Sequence, residues 1–351
     1  LSKSIKLNIL NEESNLNNFL ISSKTKKASI NSKEIKKNDI FFAIKGKKKD
    51  GNFFVSEAFK KGASVAIVNK IKNSIKKNKQ IKVSNTLEFL TKSSKIVRQN
   101  FNGKIVAITG SCGKTSLKEL LGNTINKYST ATFSPKSFNN KYGVPLSLFN
   151  LNLNHKNGVF EVGMDKKGEI DFLSKIINPD IAVITNISHA HAKNFKNIKQ
   201  IATAKSEIIN NIKKDGSLVL NADDKFYNFH KKIGLKKNLK IYSFSMKKKG
   251  DVYLYYIKKE LKKYKVCIKI NNQNKYFFVN SIYENYLRNL LACITILYIL
   301  DDISSLNPFT FYKNKILEGR GDISKIKFRN KNIFLIDESY NSNPLSLTSA
   351  I

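Results

Sequence analysis

Apolar residues in this chain come in short runs separated by polar, lysine-rich stretches. "DIFFAI" from Asp39 and "ASVAIV" from Ala63 have the length of strands. "FFVSEAFKKGA" between them carries helical spacing and stops at Gly62. The lysine-rich "KIKNSIKKNKQIK" from Lys70 reads as a solvated connection. From Lys104 the period switches regularly. Strands are predicted at "KIVAIT", "GVFEVG", "DIAVITN" and "GSLVLNAD", with helices between them, the pattern of a largely parallel α/β sheet. Residues 251–280 alternate Tyr, Val and Ile with Lys, as antiparallel strands do. "ENYLRNLLACITILYIL" from Glu284 reads as a buried helix, its apolar run well short of the ~20 residues that cross a bilayer. A last strand, "NIFLIDE", precedes "SYNSNP", and the chain ends at Ile351 as another α/β unit begins. It opens on Leu1 rather than Met, so its start is expected to lie upstream. No internal repeat is visible.

The first strand of the alternation runs into "TGSCGKTS" and then a helical pattern. The full phosphate-loop pattern is G-x-x-x-x-G-K-[ST], but here Ile108 stands at the first glycine position, and the available glycine is Gly110. The shorter G-x-x-G-K-T keeps the physics. Successive backbone N–H groups and a helix N-terminus face an anion. Lys114 can reach the β- and γ-phosphates, and the Thr115 hydroxyl can ligate Mg²⁺. A chance Gly-Lys-Thr turn is the alternative; the strand before it and the helix after it favour a nucleotide.

Composition changes this picture in two ways. The formal charge of +37 raises the possibility of a nucleic-acid surface. Yet all but four of the 63 basic residues (Arg98, Arg288, Arg320 and Arg329) are lysine, and base-edge readout favours arginine. Lys, Asn and Ile are crowded together throughout, as A+T-rich coding produces, and no specific nucleic-acid partner is expected. Cys112, Cys267 and Cys293 form no C-x-x-C pair, which argues for a reducing compartment and against a disulfide framework or zinc site. With no signal peptide visible, the expectation is a cytoplasmic protein without membrane insertion.

The loop "TGSCGKTS" resembles that of the Mur ligase family of peptidoglycan synthesis, ATP-dependent amide-forming enzymes of three domains. Further motifs follow in family order: "NNKYGVPLSL" from Asn139, "EVGMDKKGEI" from Glu161, "ITNISHAHAKNF" from Ile184, "IATAKSEI" from Ile201, "LNADD" from Leu220, "ENYLRNLLA" from Glu284, "GRG" from Gly319 and "DESYNSNP" from Asp337. Within the family, "NNKYGVPL", "EVGMDKKGEI" and "SYNSNP" resemble the branch that joins D-alanyl-D-alanine to a UDP-MurNAc-tripeptide through an acyl phosphate. Another Mur-type ligase, or one like folylpolyglutamate synthase, is the alternative. The resemblance implies an α/β UDP-binding domain over residues 1–102 and a central P-loop ATPase-like domain with a mainly parallel sheet over 103–320. Residues 321–351 would begin a C-terminal Rossmann-like domain whose remainder is absent, so these residues alone are expected to turn over poorly. A monomer is expected.

The resemblance also implies roles. Gly110, Ser111, Cys112, Gly113, Lys114, Thr115 and Ser116 would hold ATP, with Asn285 and Arg320 at its adenine and phosphate sides. Asp337, Tyr340 and Asn343 would approach the ribose and adenine. Thr115, Glu161, His191 and Lys205, the last as a carbamate, would hold two Mg²⁺ ions. Lys114, Lys205, His191 and Arg320 would be catalytic. Ser32, Asn139 and Asn140 would meet the UDP-linked substrate, although Asn31-Ser32-Lys33 departs from the family's usual Asp-Ser/Thr-Arg. Cys112 stands where Asn is frequent, and predicts thiol-reagent sensitivity against which ATP protects.

Overall fold

The computed structural model describes residues 27–46, 49–188, 194–247, 249–261, 263–301, 303–312, 318–320, 322–329, 331–337 and 339–340. The chain forms two compact units, one of residues 1–102 with 142–154, the other of residues 103–141 with 155–351.

The first unit holds a four-stranded parallel sheet in the order β1 (Ala28–Ser29), β2 (Ile40–Phe42), β3 (Val65–Val68), β4 (Gln80–Lys82). The "FFVSEAF" segment becomes a 3₁₀ turn and helix α1 (Val55–Lys60), ended by Gly62 at φ +107°. One expectation is corrected. The lysine-rich connection ends in β4, an edge strand on β3, rather than remaining solvated loop. The buried Gln80 explains this. Its amide accepts from Lys72 N–H and donates to the carbonyls of Lys72 and Ile75, tying the preceding loop to the strand. Helix α2 (Thr86–Gln99) starts on Asn85, whose side chain accepts from Leu87 and Glu88 N–H. Phe42 meets Phe149 edge-on at 5.3 Å.

The second unit is built on a nine-stranded sheet. Its parallel part comprises β5 (Lys104–Thr109), β6 (Ala131–Phe133), β7 (Asn157–Glu161), β8 (Ile181–Ile184), β9 (Ser217–Asn221) and β10 (Lys240–Ser245). Three further strands, β11 (Val252–Glu260), β12 (Lys263–Ile270) and β13 (Gln273–Val279), extend it, the last two pairs antiparallel. The order is β13-β12-β11-β10-β9-β8-β5-β7-β6. Strand β5 lies between two later strands, so the chain reverses direction across the sheet there. Open α/β sheets bind ligands at the carboxyl ends of strands at such a switch point. Ile105, Val106, Ala107 and Ile108 of β5 are fully buried, as a central parallel strand requires. Helices α3 (Lys114–Ile125) and α8 (Glu284–Ile299) pack in the same core through Leu117, Leu121, Leu290, Leu291 and Ile294. Each such side chain contributes ~1.5–3 kcal/mol by its burial. Between them in sequence lie α4 (Gly143–Phe149), which belongs to the first unit, α5 (Glu169–Ile177), α6 (Ile198–Ser206) and α7 (Tyr227–Lys236).

On β11–β13 several lysines lie over neighbouring rings, Lys265 above Tyr276 at 4.5 Å and Lys269 above Tyr255 at 4.7 Å. Strands β14 (Asp322–Phe328) and β15 (Lys331–Asp337) form a separate antiparallel pair. Among the described residues, no helix is long and apolar enough to cross a membrane.

Candidate active site

The loop after β5 is shaped by two glycines and pinned by the end of β8. Gly110 has φ +147°, and a Cβ there would fall 1.9 Å from Thr185 Oγ1. Gly113 has φ +82°, caps α3, and would meet Asn289 Oδ1 at 2.7 Å. Only glycine suits both positions. Thr185 donates its hydroxyl to Cys112 O at 2.6 Å, while Asn186 accepts from Cys112 N–H at 3.0 Å. Ser111 N–H donates to Asn186 O, and the Ser111 hydroxyl bonds to both Ser188 O and Ser188 N–H. These bonds tie the loop to the end of β8, and the loop leads directly into the N-terminus of α3, the helix end that favours anions.

Two amines converge on one loop carbonyl. Lys114 and Lys205 each donate to Gly110 O at 2.9 Å, Lys114 from α3 and Lys205 from α6. Lys205 is 1% exposed, whereas among the described residues Lys118 is the only other buried lysine. Burial pushes it well below the usual lysine range, and the neighbouring Lys114 charge pushes the same way. Burial also lowers Lys114, opposed by the attraction of Glu161.

Glu161 ends β7 and is 1% exposed. Its Oε2 accepts the Thr115 hydroxyl at 2.6 Å and its Oε1 accepts Asn139 Nδ2 at 2.7 Å. The Thr115 hydroxyl also lies 3.4 Å from Ser137 Oγ. Ser137 Oγ in turn is 3.4 Å from an Arg320 guanidinium nitrogen and 3.1 Å from Tyr340 Oη. The Arg320 guanidinium sits 4.3 Å above the Tyr340 ring. A cation, two hydroxyls and a buried carboxylate thus run in line beside the phosphate loop. A hydroxyl–carboxylate pair supplied by a P-loop threonine and a strand-end acid offers the oxygen donors that Mg²⁺ takes. Such a site can bind a nucleoside polyphosphate and neutralise charge during phosphoryl transfer.

Two family models match this chain, the Mur ligase middle domain over residues 108–297 and the Mur ligase family catalytic domain over residues 25–102. UDP-N-acetylmuramoyl-tripeptide–D-alanyl-D-alanine ligase of Rickettsia prowazekii (strain Madrid E) is 34% identical over 324 residues, 92% of this chain and 71% of that protein. The chain belongs to the Mur ligase family. Among solved structures, MurF from Acinetobacter baumannii matches with a TM-score of 0.78 at 28% identity, over 92% of this chain and 70% of that one. MurF ligase from Thermotoga maritima, solved in complex with ADP, matches with a TM-score of 0.78 at 26% identity, over 93% and 74% of the two chains.

In this Mur ligase the structure brings Lys114, Thr115, Asn139, Glu161, Lys205, Arg320 and Tyr340 to one end of the parallel sheet. Ser116 lies in the first turn of α3, half-buried, and Asn285 is half-buried in the first turn of α8. Asn140 is exposed. Asp337 ends β15 and accepts Ser339 N–H at 2.9 Å; hydrogen bonding from the Ser339 side chain, then from its backbone, holds the carboxyl below the usual range. Ser32 lies in the first unit, buried, with its hydroxyl donating to Glu57 at 2.8 Å. His191 and Asn343 lie outside the described residues.

The sequence reading missed four contributors. Thr185 and Asn186 pin the loop, and as polar residues ending the apolar "IAVI" strand they carried a usable signal. Asn289 stands one helical turn after Asn285, against Gly113. Ser137 carried no signal at all in its polar loop.

Proposed function

We propose that this Mur ligase joins D-alanyl-D-alanine to a UDP-MurNAc-tripeptide, driven by conversion of ATP to ADP and phosphate. The observation that carries the reading is the contact of Thr115 with the buried Glu161 at 2.6 Å, beside a phosphate loop whose carbonyl holds two lysine amines. Relatives that bear this activity in their names support the choice of substrates.

The reaction begins with attack of a substrate carboxylate oxygen on the γ-phosphorus, and ADP leaves. The resulting acyl phosphate is attacked by the amine of D-alanyl-D-alanine. Phosphate departs and the amine loses a proton, leaving the amide. Both partners in the first step are anions, so cancelling their repulsion is the main demand on the protein. Lys114 and Arg320 supply positive charge at the phosphates, and the loop N–H groups orient them. Thr115, Glu161 and His191 would hold Mg²⁺, which supplies further charge neutralisation at the transferring phosphoryl group.

Lys205 would serve as a carbamate. An amine pushed toward its neutral form is nucleophilic toward CO₂, giving a carbamate anion and a proton. Parent activity that does not change when CO₂ and bicarbonate are removed, with no carbamate on Lys205 by mass spectrometry, would remove this element. Asn285, Asp337, Tyr340 and Asn343 would surround the adenosine. Ser32, Asn139 and Asn140 would meet the UDP-linked substrate. The proposed division is 1–102 for UDP-substrate binding, 103–320 for ATP and 321–351 for the start of a third domain, in a cytoplasmic monomer.

The test is ADP release with product mass analysis. Release that requires both UDP-MurNAc-tripeptide and D-alanyl-D-alanine, with a product of their joined mass, supports the reading. Release driven instead by another amino acid or by a folate acceptor replaces it with the corresponding ligase.

A further inference from the structure

Ser137 is the junction of the hydroxyl chain, and its hydrogen-bond accounting allows one arrangement. The Thr115 hydroxyl has one proton and donates it to Glu161 Oε2 at 2.6 Å. Toward Ser137, Thr115 can then only accept, so Ser137 donates across the 3.4 Å contact. Ser137 has no second proton, so Tyr340 Oη donates to it at 3.1 Å and the Arg320 guanidinium at 3.4 Å. The single donor and both acceptor sites of the Ser137 hydroxyl are used. The dipoles all point from the arginine cation toward the Glu161 anion.

The loop carrying Ser137 is braced from behind. Lys118, fully buried on α3, donates to the carbonyls of Ser134 and Lys136 and pairs with Glu119 at 2.8 Å. Ser137 O accepts Asn139 N–H at 2.8 Å, and Asn139 O accepts Gly163 N–H at 2.8 Å. The backbone under Ser137 is thus fixed to α3 and to the end of β7. Among the described residues, Arg320 and Tyr340 also meet each other through the ring contact, and Tyr340 N–H donates to Gly319 O at 3.1 Å.

We propose that Ser137 is a positioning residue, whose hydroxyl holds Arg320 and Tyr340 beside the phosphate loop by linking them to the Thr115–Glu161 pair. Its effect on turnover rests on the ligase reading above; its effect on Arg320 does not. Two readouts separate them. The first is cleavage by an arginine-specific protease, informative because the chain has only four arginines. Ser137→Ala is expected to speed cleavage after Arg320 by about tenfold, the scale of one lost hydrogen bond to a charged group. Cleavage after Arg329 should not change, and Ser137→Thr should cleave like the parent. The second readout is kinetic. Ser137→Ala should lower kcat by about tenfold with KM for the tripeptide substrate unchanged. Ser137→Thr should restore it, and Ser137→Ala combined with Arg320→Ala should be no worse than Arg320→Ala alone.

Unchanged cleavage at Arg320 in Ser137→Ala overturns the proposal, as do losses that multiply in the double variant. Faster cleavage at both arginines also overturns it, because that reports general loosening. Faster cleavage at Arg320 alone, in a protein whose ADP release is driven by a different amino acid or acceptor, upholds the role of Ser137 and replaces the ligase reading instead.

Discussion

Replacing Glu161 by Gln separates its chemical role from its structural one. The substitution keeps the shape of a side chain that is 1% exposed and removes its charge. Both carboxylate oxygens are occupied, by Thr115 at 2.6 Å and Asn139 at 2.7 Å. A hydrogen bond to a charged group contributes ~1.5–3 kcal/mol and one to a neutral group ~0.5–1.5, so weakening two costs about 2–3 kcal/mol. The amide must also present its NH₂ to one of two donors. With its oxygen kept on Asn139, Nε2 faces Thr115, whose proton then turns toward Ser137 and reverses the hydroxyl chain. Against these losses stands the desolvation penalty of a buried carboxylate, several kcal/mol, which the substitution removes. Stability in urea is therefore expected to stay within about 2 kcal/mol of the parent. ADP release should fall by about a hundredfold or more, as when one preorganised charge-stabilising group is lost. The reasoning is refuted if ADP release stays within about threefold of the parent. It is equally refuted if stability falls by about 4 kcal/mol or more, which would make Glu161 a structural residue.

Two further predictions concern the loop and its surroundings. Gly110→Ala forces a Cβ to 1.9 Å from Thr185 Oγ1 at a backbone angle that costs ~1–3 kcal/mol. ADP affinity by calorimetry should drop sharply, and adding Thr185→Ala should recover part of it by removing the clashing oxygen. No recovery would mean that backbone strain alone disables the loop. His230, buried on α7 with Nε2 bonded to Ala202 O at 3.1 Å on the helix of Lys205, has its pKa lowered from 6.5 by burial. The unfolded chain therefore binds more protons than the folded one between that lowered value and 6.5, so stability drains away as pH falls through this window. His230→Gln should lose less stability than the parent between about pH 7 and 5, read by urea unfolding. Parallel pH profiles would contradict this.

Much of the fold could be read along the chain because its central strands are unambiguous. "KIVAIT", between a lysine-rich surface and a Gly-Lys-Thr turn, has no alternative as an amphipathic helix, and it became the middle of the sheet. The Gln80–Lys82 strand was illegible because it is short and basic; pairing with β3 and the Gln80 amide network make it a strand. The assignment of residues 142–154 to the first unit was hidden for a similar reason, since apolar "GVPLSLF" shows that a helix is buried but not in which unit. In the site, Glu161 could be seen as an acid ending an apolar run, and Lys114 and Thr115 from the loop pattern. Lys118 and Lys205 are buried among many solvated lysines, and no local pattern marks a buried lysine. Ser137 meets Arg320 and Tyr340 across 183 and 203 positions of sequence, so only the tertiary structure reveals it.

In the proposed reaction a carboxylate of the substrate is phosphorylated before the amine attacks. Oxygen-isotope transfer tests it directly. With ¹⁸O in the terminal carboxylate of the tripeptide, one labelled oxygen should appear in the phosphate released with ADP as the amide forms. Unlabelled phosphate, or label recovered in AMP, would contradict it.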